Sequence, residues 1–588
     1  MGLQKCIYLV GLTCVFFFHL AVGQGGRFAP APKTQLPDPF SVSVGSSFIA
    51  SGPSRPTADR AAVISKELIS ADIDEALAVI RQSYAGNGRV SSDSLIGFSI
   101  DSMLKALDPH SNFYDAAEFQ ELLGEHLSEY TGTGSSIAGF ERDRQIETFI
   151  ISTFPDSPAA KAGLRFGDKI TAVNGRYVRG ESLDAVRDLV RGKRGTTVRI
   201  TVERPGSPSP LTFELKREVV HEPAVPAGFL ISGKIGFIDL TNGFSNSTFP
   251  ELENALTELH RQGMLSLVLD LRGNGGGILD QAVKVAEKFL PAGSVILTQK
   301  GRTAADSRTW KAVKPRYETL PLVLLVDENT ASASEVLAGA LQDNDRALVI
   351  GRKTFGKGLV QNVLDLPQGT GLTLTAARYF TPTGRSIQRD YSEIGLYDYF
   401  NHRGTAVDID KPLYAARTLT GRTVYGGDGI TPDVTVPRIE FTAERLRLLD
   451  RIFLFSRDYL NGAGPQASNV MTAAQTIRQK ILFGDPAVDA EVLSRFNDFL
   501  RSELTAEAII GSAGKESAFV RNMLGYYLAM GSFGRESALR EMAATDSVVQ
   551  KAITELPNAG RLSAAALRIR NQPRKEKSSL SLVLNEQR

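Results

Sequence analysis

Apolar residues divide the chain into stretches of different period. Val63, Leu68, Ile73, Leu77, Ile80 and Tyr84 recur at helical intervals, and Leu95 to Leu107 forms a second amphipathic run, which predicts an N-terminal helical region over residues 61–129. Between 130 and 205 short β-like runs replace them, at 147–151, 169–173 and 198–202, punctuated by Gly163, Gly167 and Gly175 and interrupted by one helix at 182–190. Over 206–438 strands alternate with helices: a strand at 236–240, a helix at 249–262, a fully apolar strand at 265–269, a helix at 279–289 and a second fully apolar strand at 322–326. Continuously apolar strands separated by helices predict a sheet covered on both faces. Residues 439–570 read as helical and alanine-rich, and 571–588 as a basic, polar tail.

The first residues differ from all of this. Lys5 supplies a weak positive region, Tyr8 to Val22 is apolar, and Ala21-Val22-Gly23 offers small residues for cleavage before Gln24. Residues 1–23 therefore read as a secretory signal, with an uncleaved anchor as the alternative; 24–60, rich in Pro, Ser and Gly, reads as a linker. Cys6 and Cys14 both fall in the signal, so the processed chain would contain no disulfide, and Cys14 sits in a poor context for lipidation. No later stretch is long and apolar enough to span a bilayer, which makes an extracytoplasmic soluble protein the expectation. At 588 residues the chain is too long for one core, and roughly three or four domains are expected. A net charge of +2 gives no global field that would suggest a nucleic-acid partner.

Two residues carry the chemistry. Ser332 follows the apolar strand at 322–326 and opens a helix, a strand–turn–helix geometry that presents a hydroxyl beside free backbone N–H groups. Lys357 lies 25 residues later, between Gly356 and Gly358, with Val349, Ile350, Phe355, Leu359 and Val360 nearby to depress its pKa by burial. Serine and lysine can act as nucleophile and base without histidine. Each has a plainer reading: Ser332-x-x-Glu335 also fits a helix capping box, and a glycine-flanked lysine also fits a solvated turn. A phosphate-binding loop at Gly351–Lys357 fails, because Gly358 stands where Ser or Thr should hold magnesium and strand-like residues follow. Asp270-Leu271-Arg272-Gly273-Asn274-Gly275-Gly276-Gly277 ends another apolar strand, and its glycines allow backbone N–H groups to approach a ligand, unless it is only a tight turn. His110, His126, His221, His260 and His402 all lie outside these segments, and no motif nominates one of them.

Taken together, these segments resemble the C-terminal processing, or tail-specific, serine peptidases. The resemblance rests on Ser-Ala-Ser-Glu at 332–335, Leu-Gln-Asp-Asn-Asp-Arg at 341–346, Thr-Phe-Gly-Lys-Gly-Leu-Val-Gln at 354–361, the glycine-rich run at 270–277, Tyr-Phe-Thr-Pro-Thr-Gly-Arg-Ser-Ile-Gln at 379–388 and Leu-Asp-Pro-His-Ser at 107–111. It covers roughly 62–437 and implies a multidomain α/β protein: a ClpP/crotonase-like peptidase core over 206–438 with an inserted PDZ domain over 130–205, an N-terminal helical region and a C-terminal helical extension. It implies Ser332 as nucleophile, Lys357 as base, Gln361 as the residue orienting the lysine, and Gly276 and Ala333 as the oxyanion hole. Ser334 is a second serine, but the family spacing to the lysine selects Ser332. In the PDZ region Gly132, Thr133, Gly134, Ser135, Ser136 and Ile137 look like the carboxylate-binding loop, where a peptide would add as a strand beside Ile137.

The resemblance implies a secreted, periplasmic endopeptidase that takes protein or peptide substrates with free C-termini and needs neither metal nor cofactor. Two features depart from the family pattern: an insertion at 391–424 and a long helical region after 440. Regulatory, oligomeric and structural roles stay open for both, and with them an activating adaptor or a homo-oligomer. The rival readings are a catalytically inactive PDZ scaffold and a crotonase-type acyl-CoA enzyme.

Overall fold

The structure is a computed structural model describing residues 66–85, 92–142, 145–231, 233–392, 399–400, 414–438, 440–461, 487–502 and 506–572. The expected signal, the linker and all but the start of the basic tail lie outside the described residues. Among those described, no helix is long and apolar enough to cross a membrane.

The central sheet runs in the order Ala227–Ile231, Ile235–Asp239, Ser266–Asp270, Leu322–Val326, Leu348–Gly351, Val434–Thr435. Its first pair is antiparallel and every later pair is parallel. Leu322–Val326 shows why continuous apolar strands were needed. Leu322, Leu324 and Val326 pack with the helices Thr248–Arg261, Leu279–Phe289 and Ala333–Asp343, whereas Val323 and Leu325 pack with the C-terminal helix Ser547–Asn571. Alternate side chains point to opposite faces, and both faces are covered.

A second sheet lies beside it: Asn112–Tyr114, Gly371–Phe380, Val295–Gly301 and Arg308–Lys311, with Leu359–Asp365 also paired to Gly371–Phe380. Asn112–Tyr114 falls in the region expected to be helical. At three residues it is too short to show a period in sequence, and its pairing to Gly371–Phe380 fixes it as a strand.

The small β domain is antiparallel, in the order Ser135–Arg142, Gln145–Thr153, Lys169–Val173, Thr197–Glu203, Leu211–Lys216, with the helix Leu183–Val190 capped by Ser182. Its sheet therefore continues past residue 205, through Leu211–Lys216.

The helices after 440 join this domain to the core. From Ala443–Asn461 and Ser517–Phe533, Phe453 and Tyr527 pack against Phe140, Phe149 and Phe166 of the β domain. The Phe140 and Phe453 rings are stacked, with centroids 3.7 Å apart and planes within 3°. Arg457 donates from Nε to the Gly167 carbonyl at 2.6 Å, and a Cβ on Gly167 would come within 2.7 Å of the Arg457 side chain. At the other end Arg272 pairs with Asp546 at 2.7 Å and Arg535 with Asp239 at 2.9 Å, tying the same helical region to the core strands. The extension is thus a structural bridge. Phe453→Ala empties a fully buried, ring-lined site and is expected to cost about 3–5 kcal/mol; a fall in the urea midpoint, with earlier proteolysis of residues 130–216 than of the core, checks it.

Candidate active site

Three adjacent parallel strands of the central sheet end on one edge. Ser266–Asp270 leads into the glycine-rich run, Leu322–Val326 into Ser332 and Leu348–Gly351 into Lys357. The crevice outside the carboxyl ends of such strands is where open α/β sheets collect ligands. Asp327 stitches two of the loops together, its Oδ1 accepting the N–H groups of Gly273 at 2.7 Å and of Asn329 and Thr330 at 3.1 Å.

Ser332 stands where the chain turns from strand to helix, at φ 57° and ψ −118°. A non-glycine residue rarely occupies this left-handed region, and such strain is typical of a nucleophile presented on a sharp turn. Its hydroxyl lies 3.1 Å from the phenolic oxygen of Tyr379, which the neighbouring strand Gly371–Phe380 delivers. Tyr379 is buried, and that burial pushes its phenol well above the usual range, so it stays neutral.

One carboxylate joins the serine to the lysine. Glu335, fully buried, accepts the Ser332 N–H at 2.9 Å, the Thr354 hydroxyl at 2.5 Å, the Gly356 N–H at 2.7 Å and the Lys357 N–H at 2.8 Å. Burial raises its pKa, and the four donors pull it back. The backbone N–H groups of Ser332 and Lys357 are fixed to the same atom, Glu335 Oε2, while Thr354 and Gly356 share Oε1.

Lys357 is 8% exposed, and burial lowers its pKa to about 8 against the opposing pull of Asp108 and Glu335. A lysine in that range supplies neutral amine near physiological pH, as a general base must. Its Nζ donates to Gln361 Oε1 at 2.8 Å, and Gln361 Nε2 donates in turn to the His110 carbonyl. The residue expected to orient the lysine therefore touches it. The serine hydroxyl and the ammonium each have a partner here, Tyr379 and Gln361 respectively.

Gly276 packs directly on Ser332: at φ +103° a Cβ would fall 2.7 Å from Ser332 Cβ and 2.8 Å from the Ala331 carbonyl, so only glycine fits. Its N–H, however, donates to Asn274 Oδ1 at 2.9 Å. Ala333 opens the helix and its N–H has no carbonyl within the helix to bond. Of the two expected oxyanion donors, Ala333 is uncommitted within its helix and Gly276 is held by Asn274. Ser334 is completely buried and donates to the same Asn274 Oδ1 at 2.6 Å, which commits its hydroxyl to the support of the glycine loop.

In the β domain, Gly132, Thr133 and Gly134 are buried, and Ser135, Ser136 and Ile137 are half-buried. The Thr133 carbonyl accepts the Ala159 N–H at 2.8 Å, and the Gly134 carbonyl accepts the Phe154 N–H and the Ser157 hydroxyl at 3.0 Å. These bonds turn the loop carbonyls inward. Ser135–Arg142 is the edge strand of its sheet and runs beside Leu183–Val190.

Three residues of the site were not singled out by the sequence reading. Glu335 entered only as a capping partner, although a carboxylate in an otherwise apolar helix start signals a buried acceptor. Tyr379 stood in a motif without a role; its place in the strand Gly371–Phe380, beside buried Ala377, was the available signal. His110 stood in the motif at 107–111 without a role, because its backbone carbonyl is what meets Gln361.

Residues 234–394 match peptidase family S41, and residues 154–204 match the PDZ domain. The chain is 36% identical over 299 residues to a carboxy-terminal-processing protease of Bartonella bacilliformis, covering 50% of this chain and 67% of that one. It is 36% identical over 299 residues to a probable CtpA-like serine protease of Staphylococcus epidermidis, covering 50% of this chain and 59% of that one. Among solved structures it is similar to a photosystem II D1 C-terminal processing protease, at 30% identity and a TM-score of 0.32, over 64% of this chain and 90% of that one.

The burial of Lys357 has a thermodynamic sign. Its folded pKa of about 8 lies below the unfolded value, so the folded state bears the full cost of the ammonium below pH 8 and sheds it as pH rises towards the unfolded value. Lys357→Met is expected to raise unfolding free energy at pH 7 by about 1–3 kcal/mol and to flatten its rise between about pH 8 and 10, as read by urea denaturation across that range.

Proposed function

Because the chain belongs to peptidase family S41, the family of the carboxy-terminal-processing proteases, we propose that it is a serine endopeptidase in which Ser332 attacks the substrate peptide bond with Lys357 as general base. The observation that carries the reading is the pairing of a strained serine with a buried lysine of lowered pKa, their backbones held by the one Glu335 carboxylate.

The chemistry then runs as follows. The Ser332 hydroxyl turns from Tyr379 towards neutral Lys357 and gives up its proton as Oγ bonds to the carbonyl carbon. Lys357 passes that proton to the departing amine, leaving an acyl-enzyme. Water attacks the acyl carbon, its proton goes to Lys357 and then to the departing Ser332 oxygen, and the free enzyme is restored. Gln361 keeps the lysine aimed through its side-chain oxygen. The Ala333 N–H stabilises the oxyanion, and Gly276 joins it when the substrate oxygen replaces Asn274 Oδ1 as acceptor. Tyr379 steadies the serine oxygen by a hydrogen bond and transfers no proton.

Substrate selection is assigned to the PDZ domain. The loop from Gly132 to Ile137 takes the terminal carboxylate, and the tail adds along the edge strand Ser135–Arg142. Residues 1–23 direct the chain out of the cytoplasm, into the periplasm.

Two experiments test the proposal. A fluorophosphonate probe should label the wild type and leave Ser332→Ala unlabelled, with loss of cleavage of an unstructured protein and an unchanged melting profile; labelling and turnover persisting in Ser332→Ala would overturn the dyad. For tail selection, amidating a peptide's C-terminus removes its charge and leaves the scissile bond unchanged, so the full chain should bind it about ten- to a hundredfold more weakly. Equal cleavage of free-acid and amidated peptides would remove tail selection from the PDZ domain. Point comparison is preferable to deleting the domain, because deletion would uncover the ring of Phe453 and its neighbours.

A further inference from the structure

The insertion at 391–424 supplies two described residues, Tyr399 and Phe400, that pack behind the turn carrying Lys357. Tyr399 is 1% exposed and is among the largest fully buried side chains of the described residues. Its hydroxyl lies 2.9 Å from His110 Nε2 and accepts from Gln388 Nε2 at 3.2 Å. Its carbonyl accepts from Arg389 Nη2 at 2.5 Å, and that guanidinium sits 4.5 Å from the Tyr399 ring centroid and 4.7 Å from that of Phe355.

Each of these partners reaches the lysine turn by a separate bond. Gln388 Oε1 accepts the Gly358 N–H at 2.8 Å. The Arg389 N–H donates to the Gly356 carbonyl at 2.8 Å. The His110 carbonyl accepts from Gln361 Nε2, and Gln361 Oε1 accepts from Lys357 Nζ. Asp108 holds the His110 end of this chain, accepting the His110 and Ser111 N–H groups at 2.8 Å.

We propose that Tyr399 is a positioning residue for Lys357: its hydroxyl fixes His110 and Gln388, and through them the Gln361 acceptor and the Gly356–Gly358 turn. A residue that only filled space would not need the hydroxyl, since phenylalanine has the same ring. Gln388 Nε2 donates to the phenolic oxygen, so the phenol hydrogen is available to His110 Nε2. Burial, with Lys357, Lys105 and Arg389 nearby, holds the imidazole far below the usual histidine range, so it is neutral and able to accept. Tyr399 is therefore wired into the lysine turn from behind.

This inference rests on the reading of Lys357 as base, and the test separates the two. In the full-length chain, Tyr399→Phe should slow fluorophosphonate labelling of Ser332 at pH 8 by about ten- to a hundredfold, with a matching fall in kcat on an unstructured protein and an unchanged KM. The rising limb of labelling against pH should move to higher pH, because a loosened turn lets water reach the ammonium; Asp108, Glu335 and Lys105, the other charges facing Lys357, are untouched by the substitution. A merely structural tyrosine would not move that limb. In a Gln361→Ala background, Tyr399→Phe should add little, since both act on the same contact. Wild-type labelling by Tyr399→Phe at every pH overturns the inference and leaves the dyad standing, and so does a loss that adds in full to that of Gln361→Ala. Labelling that persists in Ser332→Ala overturns the reading beneath it.

Discussion

The site depends on a single buried carboxylate. Glu335 has no exposed surface and no cation bonded to it among the described residues; four donors from Ser332, Thr354, Gly356 and Lys357 take its place. A buried carboxylate without such donors would protonate, and without the carboxylate those donors would themselves be unsatisfied. The arrangement therefore holds as a unit or not at all. It also ties together two residues from different strand ends: the main chains of Ser332 and Lys357 are anchored to the same carboxylate.

The rest of the core serves to bring those strand ends together. Leu322–Val326 is completely buried, so its register between Ser266–Asp270 and Leu348–Gly351 is set by packing on both faces. Once that register is fixed, the glycine loop, the serine and the lysine arrive side by side on one edge. The second sheet completes the arrangement from the flank, with Tyr379 and Gln361 supplied by the paired strands Gly371–Phe380 and Leu359–Asp365.

This division also governs what could be read from the chain. The apolar strands, the helices between them and the Ser332 and Lys357 motifs are local in sequence, and were legible. Gln361 was legible too, because it lies four residues from its partner and carries a family signature. Contacts closed only by the fold were not. His110 meets Gln361 across 251 residues, and Phe453 stacks on Phe140 from the far end of the chain. The Gly276 N–H looked like a free donor because glycine runs announce backbone access; Asn274, two residues earlier, takes the donor, and only side-chain geometry reveals it.

The long helical region after 440 follows from the same physics. The β domain keeps one edge strand open, and its other apolar surface must be covered. Ser135–Arg142 meets both needs: Ala138 and Phe140 pack into the helical extension, while Ile137 faces the domain's own core and Gly139 lies against Leu183 of the helix. The face with Phe140 is stacked and the edge is left to hydrogen bonding. Because the same extension also covers the central sheet through Val548, Val549, Ala552 and Leu556, one set of helices is packed against both the edge strand Ser135–Arg142 and the strands that lead into Ser332 and Lys357. Displacing the β domain would therefore require breaking the stack of Phe140 on Phe453 and the bond from Arg457 to Gly167 together, because the same helices hold both.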